Sequence, residues 1–360
     1  MPPIRVLIVD DSVIIREILI EVLASDPAIE IVGTASSGEE ALPLVEKLKP
    51  DLVTLDLALP GMNGLVTLAE IRRLSLTLPV IVFSAFSESP MRVRPNSPAW
   101  NVTEFIARPR QRGSRQLVRE EFRRQLLPRI KLLCATSPVP ASSPTRDSPA
   151  LRIPHGRAID IVAIGASTGG PEALAALLTS FPADFPVPIL IVQHMPVSFT
   201  RLLAERLALQ TRLSVMEGKP GQRIAPGEVW IAPGNYHMTV LRRDGAVVLA
   251  MNQDAAEHGC RPSVDVLFRS LPETYGPRVL AIVLTGMGAD GTSGAKAVQD
   301  AGGELIVQDK ATSVIWGMPG RIVAAGLAPY ICPIGRMAHE ISRRVQPRWS
   351  GTSAFAAAAT

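Results

Sequence analysis

Residues 159–171 read Ile-Asp-Ile-Val-Ala-Ile-Gly-Ala-Ser-Thr-Gly-Gly-Pro, and this stretch decides the fold of the second half of the chain. The apolar run over 159–166 predicts a strand buried on both faces, which is typical of a parallel sheet covered by helices. The glycines around Ser167 favour a sharp turn, and residues 172–178 then predict a helix. Strand, turn and helix in this order form the repeating unit of an α/β protein.

The same block continues in the α/β pattern. Further strands are predicted at 188–192 and 279–284. The stretch 214–251 between them is punctuated by glycine and proline, and residues 229–234 and 240–249 predict hairpins within it. We therefore expect a doubly wound parallel α/β domain over residues 158–345, with an antiparallel hairpin insertion.

The first block, residues 1–128, also alternates short apolar runs with helical patterns. Five strands are predicted, at Arg5–Val9, Ile29–Val32, Leu52–Leu55, Val80–Phe83 and Glu104–Ala107. After the first strand, apolar residues recur at helical spacing, at Ile15, Ile18, Leu19, Val22 and Leu23. This pattern predicts a second doubly wound parallel sheet, of the flavodoxin-like kind.

Composition separates these two blocks. The chain has 360 residues, of which 47% are hydrophobic and 19% charged, which suits about two domains and excludes wholesale disorder. Residues 134–157 contain five Pro and four Ser, so we place an interdomain linker at 129–157 and a flexible tail at 346–360. Since the sequence shows neither a signal peptide nor an apolar run of roughly 18 residues, we expect a cytoplasmic protein without membrane insertion.

Charge and cysteine content argue against two further classes of protein, those that bind nucleic acids and those held together by zinc or disulfides. Residues 108–131 carry eight Arg and one Lys, but a solvated helix face explains them more simply than nucleic-acid binding, because no DNA-binding helical motif follows. The cysteines, Cys134, Cys260 and Cys332, lie far apart without a CxxC spacing. They predict free, inert thiols in a reducing compartment rather than a zinc ribbon or disulfide scaffold.

Acidic residues follow the strands of the first block. Asp10 and Asp11 end the first strand, Asp56 ends the third, and Ser84 ends the fourth. Because these ends meet at one edge of a doubly wound sheet, the carboxylates would share a pocket and require a cation, for which Mg²⁺ is the natural choice. Helix capping and a turn are the alternative for each residue taken singly. The joint pattern favours a phosphoryl site.

These positions resemble a response-regulator receiver domain, which the segments at 9–12, 55–64 and 83–85 match. The resemblance implies that Asp56 accepts a phosphoryl group from a histidine kinase. It also implies that Asp10, Asp11 and Asp56, with the carbonyl of Ala58, arrange Mg²⁺, and that Ser84 is the switch hydroxyl.

One part of this block departs from the receiver pattern. Arg108 stands where receivers carry a lysine as a further switch residue, and a planar guanidinium does not replace a compact ammonium. Residues 87–100 hold three prolines where a helix is expected. We therefore treat 87–109 as atypical, and the coupling of phosphorylation to output becomes the open question.

The second block carries candidate catalytic residues at three strand ends. Ser167 lies in a G-x-S-x-G segment, which alone fits a plain glycine-rich turn or an anion nest as well as a nucleophile. His194 follows the strand at 189–193, and Asp290 lies in a glycine-rich loop after the next. The alternative for His194 is a structural histidine, and the alternative for Asp290 is a helix N-cap. His237 and His258 are predicted to lie in loops and are possible residues of a substrate groove. Together the three predict a triad in which His194 deprotonates Ser167 and Asp290 orients the imidazole.

The three segments resemble the chemotaxis-specific protein-glutamate methylesterases, as does the stretch at 261–265. The resemblance implies Ser167 as nucleophile, His194 as base and Asp290 as its orienting partner. Met287 and Thr168 then belong to the oxyanion and substrate loop, and catalysis needs no cofactor. The implied substrates are glutamate γ-methyl esters, and glutamines, of methyl-accepting chemotaxis receptors.

The implied phosphodonor is a chemotaxis histidine kinase, and we expect a monomer. Two alternatives remain at this point. One is a non-enzymatic response regulator whose second domain only binds a receptor or another partner. The other is a nucleotide-binding oxidoreductase, which the serine at position 167 disfavours because G-x-G-x-x-G requires glycine there.

Overall fold

The structure is a computed structural model, and it describes residues 2–84, 104–107, 114–135, 158–327 and 329–345, without the side chains of Ser84, Glu104, Phe105, Ala107, Ala135 and Ser198. The described residues divide into two compact units, one containing those up to 135 and the other most of those from 158 onward. Arg108, His155, the predicted tail and most of the atypical 87–109 segment lie outside the described residues.

The first unit is built on a five-stranded sheet in which every neighbouring pair is parallel. Its strands are β1 (Ile4–Val9), β2 (Ile29–Ala35), β3 (Leu52–Asp56), β4 (Val80–Ser84) and β5 (Glu104–Ala107). Its helices are α1 (Val13–Ala24), α2 (Gly38–Leu48), α3 (Gly64–Leu74) and α4 (Arg115–Ala135). The strand order is β2-β1-β3-β4-β5, which is the flavodoxin-like order, so the predicted fold of this block is confirmed.

Local sequence explains the first helix. The Ser12 side chain accepts a hydrogen bond from the Ile15 N–H and caps the N-terminus of α1. All five apolar residues that predicted this helix are buried, at Ile15, Ile18, Leu19, Val22 and Leu23. They form the core with β1 and with the apolar side of α4.

Helix α4 corrects the predicted linker boundary. It continues to Ala135, so residues 129–135 are helical and the linker does not begin at 129. The apolar side chains keep their helical spacing across Pro128, and all are buried, at Val118, Phe122, Leu126, Ile130 and Leu133. Proline removes one backbone hydrogen bond, but burial of this stripe against α1 sustains the helix.

The second unit is built on a seven-stranded sheet, again parallel at every pairing. Its strands are β6 (Ile161–Ala166), β7 (Ile189–Gln193), β8 (Ser214–Glu217), β9 (Glu228–Ile231), β12 (Val279–Val283), β13 (Glu304–Gln308) and β14 (Tyr330–Cys332). An antiparallel hairpin forms a sheet of its own, from β10 (His237–Arg243) and β11 (Ala246–Asn252). The helices are α5 (Gly170–Leu178), α6 (Val197–Gln210), α7 (Val264–Tyr275), α8 (Thr292–Asp300), α9 (Met318–Ala324) and α10 (Ile334–Val345).

One of the two predicted hairpins is wrong. Residues 240–249 do belong to the β10–β11 hairpin, but residues 229–231 lie in β9, which pairs in parallel with β7 and β8. Val229, Trp230 and Ile231 are all buried. That pattern belongs to a strand covered on both faces, not to the alternation of a surface hairpin.

The order β14-β13-β12-β6-β7-β9-β8 places β6 at the centre of the sheet. The chain runs from β6 to β7 on one side and later returns to β12 on the other. Ligands of open α/β sheets bind where the order reverses in this way, outside the carboxyl ends of the strands. The segments that follow β6, β7 and β12 therefore define the place for a site. No helix among the described residues is both long and apolar enough to cross a membrane.

Candidate active site

Ser167 lies in a tight turn between β6 and α5. Its N–H donates to Thr285 O at 3.1 Å, and its carbonyl accepts from the Gly170 N–H at 2.8 Å. Gly169 has a φ of +76°, which a glycine adopts without steric cost. The predicted strand, turn and helix around this serine are therefore present, and the residue is only half-buried.

A glutamine that sequence reasoning missed stabilises the turn at Ser167 by a hydrogen bond to its backbone. Gln193, the last residue of β7, is 2% exposed, and its Nε2 donates to Ser167 O at 2.9 Å. A Cβ at Gly170 would lie 1.9 Å from Gln193 Oε1, so only glycine fits beside this amide. The available signal was a polar side chain at the end of an otherwise apolar strand.

The loop after β12 lies against the same turn. A Cβ at Gly286 would lie 2.8 Å from the Ser167 Cβ, so the loop backbone approaches the serine closely. Thr285 Oγ1 donates to Thr168 O at 2.9 Å and joins the two segments. Within the described parts of the chain, neither the Met287 N–H nor the Thr168 N–H has a hydrogen-bond acceptor. The Thr168 side chain is buried, so only its backbone can serve the role predicted for this residue.

His194 begins the segment after β7, and its N–H donates to Ala166 O at 3.1 Å. Because Ala166 pairs with Gln193 in the sheet, Ser167 and His194 follow adjacent strand ends. The imidazole Nε2 lies 2.7 Å from Asp290 Oδ2, and the side chain is 11% exposed. Among the described residues the Ser167 hydroxyl has no hydrogen-bond partner, which leaves it free to rotate toward the imidazole.

Asp290 is buried, and its carboxylate accepts an unusually large number of hydrogen bonds. Besides His194, four groups point at its carboxylate: Ser263 Oγ at 2.8 Å, Val264 N at 2.8 Å, Asp265 N at 2.9 Å and Gly291 N at 3.0 Å. Two of these N–H groups belong to the first turn of α7, whose positive end favours an anion. Sequence reasoning predicted Asp290 but missed Ser263, Val264 and Asp265 as its partners. Only a family resemblance had pointed to the 261–265 segment that contains them.

The charges of this pair shift both pKa values. Burial alone would raise the pKa of Asp290, but the hydrogen bond from His194 and the N–H donors of α7 outweigh it, so the carboxyl ionises well below its usual range. Burial likewise disfavours the imidazolium, yet the electrostatic influence of Cys260 and Asp290, with their hydrogen bonds to the ring, outweighs it and raises the pKa of His194. An ionised Asp290 accepts a hydrogen bond from Nε2–H, so Nδ1 is the ring nitrogen that can exchange a proton with a reacting group.

All three cysteines are free, as predicted, and Cys260 is the one that lies beside a candidate catalytic residue. Its Sγ lies 3.6 Å from His194 Nδ1, and the residue is half-buried rather than enclosed. Cys134 and Cys332 fit the prediction better, because burial raises their pKa values to about 11 and about 12 and keeps both thiols protonated at neutral pH.

The other histidines take separate roles. His237, predicted to lie in a loop, begins β10 and is buried, and its ring bonds to Ala255 O and the Ser263 N–H. It therefore supports the segment around Asp290 and does not line a groove. His258 is a loop residue as predicted, and its Nε2 lies 3.1 Å from Asp265 Oδ2. His339 is exposed on α10.

The acidic cluster of the first unit also forms. Oxygens of Asp10, Asp11 and Asp56 lie within 4.8 Å of one another, with Asp10 and Asp56 buried and Asp11 exposed. Carboxylate oxygens at this spacing suit a hard divalent cation, so the donor set fits Mg²⁺. Ser84 ends β4 on the same edge of the sheet, but its side chain and Arg108 lie outside the described residues.

Comparisons with known proteins agree with both halves of this geometry. The response regulator receiver domain family matches residues 6–112, and the CheB methylesterase family matches residues 162–341. A protein-glutamate methylesterase/protein-glutamine glutaminase of Trichodesmium erythraeum is 44% identical, covering 96% of this chain and 100% of the relative. One from a Nocardioides species is 42% identical, covering 96% of each.

A solved structure extends the match to the catalytic unit. The crystal structure of the Thermotoga maritima CheB methylesterase catalytic domain has a TM-score of 0.51 and 38% identity, and it covers 52% of this chain and 99% of that one. The fold, the site and these matches define a hydrolase with a receiver domain. The chain belongs to the protein-glutamate methylesterase/protein-glutamine glutaminase family.

Proposed function

We propose that the second unit hydrolyses γ-methyl esters of glutamate, and deamidates glutamines, on methyl-accepting chemotaxis receptors. The observation that carries this proposal is the His194–Asp290 pair at 2.7 Å, held at the edge of the sheet where the Ser167 turn also lies. A binding module that only recognises a receptor has no use for a buried aspartate, an oriented imidazole and an unpaired serine hydroxyl together. The family membership of the chain supports the same conclusion.

The residues divide the chemistry among them. Asp290 fixes the tautomer with the proton on Nε2, so Nδ1 of His194 takes the Ser167 proton as the hydroxyl attacks the ester carbonyl. The N–H groups of Met287 and Thr168, which have no acceptor among the described residues, would supply donors for the oxyanion that forms. The imidazolium then protonates the leaving methoxide, and methanol departs. Water, deprotonated by the same imidazole, releases the glutamate carboxylate from Ser167.

The first unit would regulate this reaction through phosphorylation. Asp56 is the proposed acceptor, and a chemotaxis histidine kinase is the proposed phosphodonor. Asp10, Asp11 and Asp56 would hold Mg²⁺, which neutralises charge on a transferring phosphoryl group when bound. The cysteines of the described residues are free, which supports a reducing compartment such as the cytoplasm.

Methanol release from methylated receptor tests both parts of the proposal. It is measured for the wild type and for Asp56→Ala, each with and without a small-molecule phosphodonor and Mg²⁺. We expect release in all cases, and stimulation by the phosphodonor only in the wild type. No release from any sample would refute the hydrolase. Equal release under all four conditions would refute regulation through Asp56 while leaving the esterase intact.

A further inference from the structure

Cys260 is presented to the catalytic imidazole by a rigid turn. Glu257 and Cys260 exchange both backbone hydrogen bonds, at 3.1 and 2.8 Å. The two residues between them, His258 and Gly259, have φ values of +51° and +74°, as a tight type I′ turn requires. The sulfur therefore lies beside His194 Nδ1, the ring nitrogen that does not face Asp290.

The separation of these two atoms matches that of two ligands on one metal ion. Tetrahedral zinc with Zn–S near 2.3 Å and Zn–N near 2.0–2.1 Å sets its sulfur and nitrogen ligands about 3.6 Å apart. The sulfur and Nδ1 lie 3.6 Å apart here. Bridging them requires that a cation displace the protons that Cys260 and His194 Nδ1 hold between them.

The second ring nitrogen of His194, Nε2, has the kind of hydrogen-bond partner that it has in zinc sites. Metal-binding histidines almost always donate their second ring N–H to a carboxylate or carbonyl, which fixes the ring and raises its basicity. His194 Nε2 has such a partner in Asp290 at 2.7 Å. The carboxylate oxygens of Asp290 are occupied by N–H and hydroxyl donors, so this residue would orient the ligand and not bind the ion directly.

We propose that Cys260 Sγ and His194 Nδ1 form a binding site for a thiophilic divalent cation of the zinc class, and that its occupation switches hydrolysis off. Binding releases to solvent the protons held by the Cys260 sulfur and His194 Nδ1, and water completes the coordination. The metal takes the lone pair on Nδ1, so the imidazole can no longer accept the Ser167 proton. The inhibition rests on the proposed hydrolase function, whereas the binding does not.

Binding is tested directly with Co²⁺, which replaces zinc and shows a thiolate-to-metal charge-transfer band when sulfur is a ligand. The full chain is titrated without phosphodonor, and we expect one such band per chain. It should vanish in Cys260→Ala and His194→Ala and persist in the matched controls Cys134→Ala and Cys332→Ala. Carboxylate binding at Asp10, Asp11 and Asp56 gives no such band. Absence of the band in the wild type, or its persistence in Cys260→Ala, would overturn the proposal.

A second measurement avoids any dependence on the folding of variants. Alkylation of the wild-type thiols by iodoacetamide is followed by peptide mass spectrometry with and without Zn²⁺. We expect zinc to slow the labelling of Cys260 by at least tenfold and to leave the labelling of the other two cysteines unchanged. Equal labelling of Cys260 under both conditions would refute the site.

Inhibition is then read from methanol release. We expect Zn²⁺ to inhibit the wild type reversibly, with recovery on adding EDTA, and Mg²⁺ to have no such effect. The half-inhibiting concentration should rise by at least tenfold in Cys260→Ala. If the charge-transfer band forms but zinc does not inhibit, the ion lies elsewhere than on the basic nitrogen and the inhibitory part is wrong. If neither wild type nor variant hydrolyses ester, the proposed function fails while the binding result stands.

Discussion

Asp290→Asn is the substitution that most directly tests how the site works. Asparagine keeps one carbonyl oxygen, which can still accept from the Ser263 hydroxyl and the Asp265 and Gly291 N–H groups. Its amide nitrogen then faces Val264 N–H and His194 Nε2, where the carboxylate had accepted two hydrogen bonds. His194 can restore one of them by accepting at Nε2, but only by moving its proton to Nδ1.

The magnitudes follow from this rearrangement. One charge-assisted hydrogen bond, from Val264 N–H, is lost outright, which lowers the free energy of unfolding by about 1.5–3 kcal/mol. The catalytic effect is larger, because the imidazole is held in the tautomer that cannot take the Ser167 proton. The same change in other Ser-His-Asp enzymes lowers kcat by about 10⁴-fold, which corresponds to about 5 kcal/mol in the activation barrier.

Both quantities are measurable on one preparation. Methanol release from methylated receptor gives kcat, and urea unfolding gives the stability and the folded fraction. Asp265→Asn is the matched control, because its oxygen still accepts from the Gly294 N–H and its other contact is the exposed His258. We expect less than about tenfold loss of kcat there. If Asp290→Asn kept kcat within about tenfold of wild type at full folding, the tautomer argument would be refuted.

Three further predictions concern the same site. Ser167→Ala should lower kcat by roughly 10⁴- to 10⁶-fold with an unchanged melting temperature, because its hydroxyl bonds to no described residue; residual turnover near wild type would exclude it as nucleophile. Because the raised pKa of His194 favours the inactive imidazolium, kcat/KM should rise with pH through a midpoint above 6.5, and Cys260→Ala should lower that midpoint. Gly286→Ala places a Cβ 2.4 Å from Met318 Sδ and 2.8 Å from the Ser167 Cβ, so thermal unfolding should occur at lower temperature and kcat should fall together with it; normal values of both would show that the loop can move away.

Most of the candidate site residues that the sequence could predict lie at the ends of strands. Apolar runs bounded by Gly, Asp or His locate the ends of β6, β7 and β12, and parallel pairing brings those ends together regardless of loop detail. Ser167, His194 and Asp290 were therefore predicted to share one edge of the sheet from residue type and position alone, and the contact between His194 and Asp290 agrees with that prediction. The same reasoning found Asp10, Asp11 and Asp56, whose oxygens lie within 4.8 Å.

The predictions that were wrong or incomplete depended on contacts with residues far away in the sequence. The buried stretch 229–231 has the same apolar character in a hairpin and in a parallel strand, and only its pairing with β7 and β8 decides between them. Proline and serine content placed the start of the linker at 129, whereas packing of α4 on α1 extends the helix to Ala135. The contact of Cys260 with His194 spans 66 positions and depends on a turn whose conformation the local sequence only suggests.

The carboxylate of Asp290 also caps the first turn of α7, so one residue serves both folding and catalysis. A substitution of Asp290 therefore lowers both the stability of the protein and its activity. The loss of stability alone would remove most replacements from a population. Ser167 has no such second role within the described structure, because its hydroxyl forms no hydrogen bond to any residue there. A lineage of this chain that gave up hydrolysis would therefore lose the serine early and retain the aspartate, and a buried aspartate beside a missing serine would mark its enzymatic ancestry.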